Sequence, residues 1–185
     1  GVQSMTMDHV AARAPVSRAT LFNYFAGKAD LIDALVESNE ADFFVAIETW
    51  RAADALSIGE RVTGLFAATG RFLTRATPIQ RELLGISWLA WNDAVSVPRV
   101  ARVLAAFAAL VEDARDRGEI AADLDVAAAT EIICHSFLGL VHAWRMDAAY
   151  PAPQRLEAAA RLLAVMLQPD QPPPTKPPRL KISRL

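Results

Sequence analysis

The stretch VSRATLFNYFAGK, residues 16–28, places a serine, an arginine, three aromatic residues, an asparagine and a lysine in one short segment. Ser17 is a favourable N-cap for a short helix that reaches about Phe25. Thr6 is a favourable N-cap for a preceding helix over residues 7–14, which Pro15 ends. Two short helices joined by a tight turn form a helix-turn-helix, and this motif is the prediction for the start of the chain.

The second helix of this motif carries outward side chains that suit contact with DNA. A recognition helix reads bases from its N-terminal part, where an arginine can pair with guanine and an asparagine with adenine. Hydroxyl groups and a lysine suit phosphate oxygens, and a small alanine permits close approach. We therefore expect these residues to contact DNA: Thr6, Ser17, Arg18, Ala19, Thr20, Phe22, Asn23, Tyr24 and Lys28. Helix-turn-helix geometry also occurs in enzymes without a DNA role, so the motif alone leaves that alternative open.

Charge is divided unevenly along the chain, although its net value is only −2. Residues 1–28 carry +2, residues 29–167 carry −7 and residues 168–185 carry +3. A modestly basic head on an acidic body favours a polyanionic partner at the head. A single cysteine, Cys134, excludes an internal disulfide and fits a reducing cytoplasm. We expect no membrane association, because no apolar run reaches the length of a membrane span.

The rest of the chain is predicted to be helical throughout. Alanine and leucine dominate its hydrophobic residues, and N-capping signals such as Ser57–Glu60 and Thr77–Gln80 divide it into segments. These signals predict helices over about 28–55, 57–76, 77–91, 98–118, 125–150 and 153–168. The fold class is therefore all-α, with a helix-turn-helix head on a multi-helix body.

The segment TMDHVAARAPVSRATLFNYFAGKADLIDAL, residues 6–35, resembles the DNA-binding segment of the TetR family of bacterial transcriptional repressors. The positions that match that family's pattern, or replace it conservatively, are Thr6, Val10, Ala11, Ala14, Val16, Ser17, Thr20, Leu21, Phe22, Phe25, Lys28 and Leu31. Pro15 departs from the pattern, because glycine is usual there and proline cannot adopt a positive φ. Phe22 replaces the usual tyrosine. The family also has a helix before the motif, so we expect the natural protein to be longer than this chain.

The resemblance implies three parts. Residues 1–28 are the helix-turn-helix DNA-binding domain, residues 29–168 a ligand-binding and dimerisation domain, and residues 169–185 a proline-rich tail that we expect to be disordered. It also implies a homodimer joined by the last two long helices, and a small-molecule cavity in each body. A face of small residues at 129, 132, 136, 139 and 143 suits close helix packing, as does a stripe of Leu156, Ala160, Leu163 and Leu167.

The body is rich in aromatic residues, which favours a lipophilic or aromatic effector. The residues predicted to bind it are Phe66, Trp88, Trp91, Phe107, His135 and His142. Packing of these rings in an ordinary core remains the alternative.

No catalytic set emerges from the sequence. Glu131 and His135 are spaced to share a metal ion, but no cysteine or carboxylate cluster completes a site, so we expect neither a metal nor a cofactor. The prediction is a cytoplasmic, dimeric, ligand-responsive repressor that binds a double-stranded DNA operator and is not an enzyme. The alternative is a small helical ligand-binding protein or enzyme whose head is vestigial.

Overall fold

The computed structural model describes residues 1–2, 4–87 and 96–169. Within these ranges the chain forms eight α-helices and no strand, which confirms the all-α prediction. Their bounds are α1 Met7–Ala11, α2 Arg18–Tyr24, α3 Lys28–Arg51, α4 Ile58–Arg75, α5 Pro78–Ser87, α6 Ser96–Asp116, α7 Val126–Met146 and α8 Ala152–Met166. The predicted tail, apart from Pro169, lies outside the described residues.

The helices begin where side chains can cap their free N–H groups. Thr6 accepts from the His9 N–H and Ser17 accepts from the Thr20 N–H, so both caps of the head are confirmed. Ser57 and Glu60 form a reciprocal capping box at the start of α4. The Thr77 and Gln80 side chains make the same exchange before α5.

Three helices end at least three residues earlier than the sequence predicted. α1 stops at Ala11 rather than residue 14, and the turn that follows contains no residue with positive φ, so Pro15 is accommodated without a left-handed conformation. α3 stops at Arg51 rather than residue 55. α7 stops at Met146 because Asp147 is extended and its carboxylate accepts the Ala149 N–H.

The core of the body is built around an aromatic cluster. The Phe137 ring on α7 lies 5.4 Å from the Phe43 ring, 5.4 Å from the Phe66 ring and 5.5 Å from the Phe107 ring, measured between centroids. These rings come from α3, α4 and α6, so a single side chain ties three helices to α7. Aromatic contacts of this kind stabilise beyond the area that they bury.

α8 lies along α4 at close range because small residues line the contact. A β-carbon on Gly59 would meet Ala164 at 3.1 Å, and one on Gly70 would meet the Pro153 backbone at 3.1 Å. The end of α8 therefore lies beside the start of α4, and the two helices run antiparallel.

A buried carboxylate joins α3 to α6. Glu40 is 3% exposed and pairs with Arg99 at 3.1 Å and with Arg102 at 2.5 Å. The Arg102 guanidinium also lies over the Phe44 ring. Burying a carboxylate is tolerated only when it is paired, so this contact fixes how α3 lies against α6.

α7 is long and apolar enough to span a membrane by length and composition, contrary to the expectation that no segment reaches that length. Eight of its residues are buried against neighbouring helices, including Ile133, Phe137 and Val141. This burial is typical of a core helix, whose apolar side chains pack inside the protein.

Candidate nucleic-acid interface and ligand cavity

The head presents α2 to solvent on its outer side and packs it on its inner side. Leu21 is buried with Met7 and Leu31 in a small cluster that joins α1, α2 and the start of α3. The residues predicted to contact DNA lie outward: Thr6, Ser17, Arg18, Ala19, Phe22, Asn23 and Tyr24 are exposed, and Thr20 and Lys28 are half-buried. The Tyr24 side chain is 79% exposed, the highest value among the large hydrophobic residues of the described part of the chain. Seven of the nine predicted residues are therefore open to solvent, and the other two are partly so.

Arg18 is held in place by two neighbours within the head. Its Nε lies 3.0 Å from an Asp8 carboxylate oxygen, and its guanidinium lies 5.4 Å from the centroid of the Phe22 ring. Both partners are exposed, so the arrangement orients the arginine and contributes little stability. The sequence analysis missed Asp8, whose spacing across the turn could not be measured from sequence.

The hydroxyl groups of Ser17 and Thr20 also form hydrogen bonds within the head. Their side-chain oxygens lie 2.8 Å apart, and the Ser17 oxygen also accepts the Thr20 N–H. The hydroxyls therefore stabilise the start of α2, the end that a recognition helix directs toward DNA.

The head contacts the body through the first residues of the chain and α5. The Val2 N–H donates to the Glu82 carboxylate at 2.5 Å. Val2 also packs with Val36 on α3 and Leu83 on α5 in a separate buried cluster. Val2 is therefore in contact with both α3 and α5.

A cavity of about 170 Å³ lies in the body between α3, α4, α5 and α7. Its aromatic wall is Phe43, Phe72 and Phe137, and further apolar residues include Leu84 and Val141. Its polar groups are Asn39, Asp42 and Thr69. The Thr69 hydroxyl donates to the Leu65 carbonyl oxygen, which leaves its lone pairs directed elsewhere. The cavity is apolar with a few polar groups, as small-molecule sites usually are.

The cavity lining includes none of the four described residues that were predicted to bind a ligand, namely Phe66, Phe107, His135 and His142. Phe66 and Phe107 are fully buried behind it, each in contact with the Phe137 ring that lines it. His135 is exposed on α7, and His142 is half-buried with an Nδ1 atom that has no hydrogen-bond partner. Trp88 and Trp91 lie outside the described residues.

The polar residues of the cavity, Asn39, Asp42 and Thr69, were not among the predicted ligand-binding residues, which were aromatic residues and histidines. A signal was nevertheless present on α3. The apolar stripe of Ile32, Val36, Phe43 and Ile47 is interrupted at the position where helical spacing expects its next member, by Asn39 and Glu40. Asn39 lines the cavity and Glu40 binds the two arginines of α6.

Both α7 and α8 carry large apolar side chains that are exposed to solvent. These side chains are Ile132, Met146, Leu162 and Val165. A β-carbon built on Gly139 would meet no atom within 4 Å, so this glycine lies in open space. The stripe of Leu156, Ala160, Leu163 and Leu167, expected at an interface between subunits, is instead buried within the chain, since α4 covers it.

Cys134 is completely buried in the core, and burial raises the pKa of its thiol to about 11. The thiol is therefore neutral at physiological pH and acts as a small apolar side chain.

Comparisons with known proteins agree with this architecture. Residues 1–35 match the model of bacterial regulatory proteins of the tetR family. No curated protein matches the chain. Its fold is similar to that of SmeT in a complex with triclosan, with a TM-score of 0.75, 18% identity and coverage of 97% of this chain and 90% of that one.

Two further solved structures share the fold. The fatty acid degradation regulator FadR from Bacillus halodurans has a TM-score of 0.71 at 18% identity, with 89% of each chain covered. The transcriptional regulator FadR from Bacillus subtilis, in complex with stearoyl-CoA, has a TM-score of 0.69 at 18% identity, with 91% of each chain covered. At such identities the likeness shows the fold alone. The head, residues 1–35, matches the tetR family of bacterial regulatory proteins, and the all-α chain has a fold similar to that of these solved regulators.

Proposed function

We propose that this protein is a cytoplasmic, dimeric transcriptional repressor that binds duplex DNA through its head and leaves it when a small molecule enters the cavity. It is a binding protein rather than an enzyme. The observation that carries the proposal is the surface of α2, where the predicted reading residues Arg18 and Asn23 are exposed on a helix that is anchored only on its inner side.

The polar residues of the head divide into two roles on DNA. Arg18 and Asn23 suit base edges, because arginine pairs with guanine and asparagine with adenine in the major groove. Lys28, at the first turn of α3, and Tyr24 suit phosphate oxygens. In the free protein Asp8 holds Arg18, so binding exchanges this surface ion pair for a contact with a base.

A dimer places two such heads on one duplex. The exposed apolar surface of α7 and α8 supports this assembly, because Ile132, Leu162 and Val165 would leave water when a second copy packs against them. An isologous interface of this kind has twofold symmetry, which requires an operator with inverted half-sites.

Cavity and head share two helices. α3 contributes Asn39, Asp42 and Phe43 to the cavity and begins at the head, about 20 Å away at 1.5 Å per residue. α5 contributes Leu84 to the cavity, while the preceding Glu82 and Leu83 contact Val2. A ligand that requires a wider cavity would displace these helices and change the separation of the two heads.

The ligand is a small, largely apolar molecule. The volume of about 170 Å³ is close to that of a cavity which holds one aromatic ring. Triclosan, bound in one protein of similar fold, is a largely apolar aromatic compound, and the stearoyl-CoA bound in another carries a long apolar acyl chain.

The test is release of a bound operator duplex by a compound that binds the body. A panel of single-ring lipophilic compounds is screened by thermal shift, and each compound that binds is added to the protein–DNA complex while fluorescence anisotropy is followed. We expect a loss of DNA affinity of about 5- to 150-fold, the usual range of coupling between two sites. Compounds that stabilise the protein and leave operator affinity unchanged would contradict the proposed switch.

A further inference from the structure

We propose that the cavity selects a cationic ligand, an ammonium or similar cation carried on an aromatic or aliphatic body, with Asp42 as its counter-ion. This inference deepens the proposed function, on which it rests, by naming the chemical class of the effector. It starts from the charge of the cavity wall.

Asp42 is the one charged group among the cavity-lining residues that the structure describes. It lies on α3 one residue before Phe43, and it is exposed, so it lies at the mouth of the cavity. Within the described part of the chain its carboxylate takes part in neither a hydrogen bond nor an ion pair. The carboxylate is therefore available to a ligand.

The Asp42 carboxylate differs in this respect from that of Glu40, two residues earlier. Glu40 is almost fully buried and two arginines neutralise it. Of these two carboxylates on α3, only Glu40 has cationic partners within the described part of the chain. Asp42 is left with its negative charge at the entrance to an apolar space.

The rings of the cavity favour the same ligand class. Phe43, Phe72 and Phe137 line it, and the faces of aromatic rings attract cations. Phe72 is 41% exposed, which places its ring near solvent, where the charged end of an amphipathic molecule would remain. An anionic ligand would be repelled by Asp42 and would find no cationic side chain among the described lining residues.

Asn39 and Thr69 are the other polar residues of the cavity lining, and neither repels a cationic ligand. The Thr69 hydroxyl already donates to the Leu65 carbonyl oxygen, so toward the cavity it acts as an acceptor. The Asn39 side-chain oxygen can also accept. An ammonium group that donates hydrogen bonds meets acceptors at this edge as well as the carboxylate.

The experiment compares three probes of similar shape on the full-length protein: benzyltrimethylammonium, its uncharged isostere neopentylbenzene, and the anion phenylmethanesulfonate. Binding is measured by calorimetry and by ligand-observed nuclear magnetic resonance. We expect the cation to bind about tenfold more tightly than the uncharged isostere, which corresponds to about 1.4 kcal/mol, and the anion to bind most weakly.

Variants assign the preference to the carboxylate. Asp42→Asn keeps the shape of the side chain and should abolish the preference for the cation, while Phe72→Leu should reduce it. Asp33→Asn is the matched control, since Asp33 is an exposed aspartate of the same helix outside the cavity lining. Equal affinities for cation and isostere, a preference that survives Asp42→Asn, or no binding of the cation at millimolar concentration would overturn the inference.

The same probes separate this inference from the proposed function. A cation that binds through Asp42 and leaves operator affinity unchanged supports the cationic site and contradicts the switch. Release of the operator by the isostere as readily as by the cation supports the switch and contradicts the charge selection.

Discussion

Arg18 is the residue that we propose reads the base sequence of the operator. Sequence analysis identified it as outward-facing from its place in the second helix, and it is exposed. Its partner Asp8 could not be foreseen, because an ion pair across a turn depends on the angle between two helices. For a related reason, the sequence did not predict that Asp42 lines a cavity. An aspartate beside two phenylalanines on a helix is ordinary until the packing of four helices places it at a cavity.

Replacing Arg18 tests whether it reads a base. Arg18→Ala should cost about 1–3 kcal/mol of operator affinity and relax sequence preference, because a paired arginine discriminates between bases. Lys28→Ala should weaken binding to all duplexes alike and reduce the salt dependence, as loss of a phosphate contact does.

Electrophoretic mobility-shift titrations at several salt concentrations measure both effects. Arg13→Ala is the control, since Arg13 is an exposed arginine of the head outside α2. An unaltered operator preference in Arg18→Ala would show that another side chain reads the sequence.

At the scale of helices, the sequence predicted the first residue of each helix better than the last. Ser17, Ser57, Thr77 and Asp125 cap their helices as expected, because capping depends on residues three positions apart. Which face of a helix is buried was harder to foresee. α8 carries apolar residues on more than one face, and only the tertiary fold shows that α4 covers Leu156 and leaves Leu162 exposed. On the small-residue face of α7, Ala129 is buried within the chain, whereas Gly139 is exposed.

Gly139→Arg tests the assignment of the α7 surface to the dimer. Because a side chain at this position meets nothing within 4 Å in one subunit, the arginine should leave the fold of the subunit intact. It should dissociate the dimer, since a charge buried between packed helices has no solvated position.

Sedimentation velocity gives the assembly state, and circular dichroism checks the fold. Ala105→Arg, an exposed position on α6, is the control and should remain dimeric. A Gly139→Arg protein that sediments as the parent does would place the interface on another surface.

At the scale of the whole molecule, the arrangement joins a basic head to an acidic body through two helices. The charge division was evident from sequence, and it keeps DNA attraction at one end of the molecule. The contact of Val2 with Glu82 and Leu83 could not be predicted from the sequence, because residues eighty positions apart meet only in the folded chain. Its consequence is that the same helices line the cavity and hold the head.

The most direct test of this account is selection of duplex DNA from a random-sequence library by the full-length protein, followed by titration of the enriched duplex at increasing salt. The account predicts enrichment of an inverted repeat, bound by one dimer, whose affinity falls steeply as salt rises because phosphate contacts release counter-ions. Recovery of no preferred sequence, with binding no stronger than to random duplex, would contradict it.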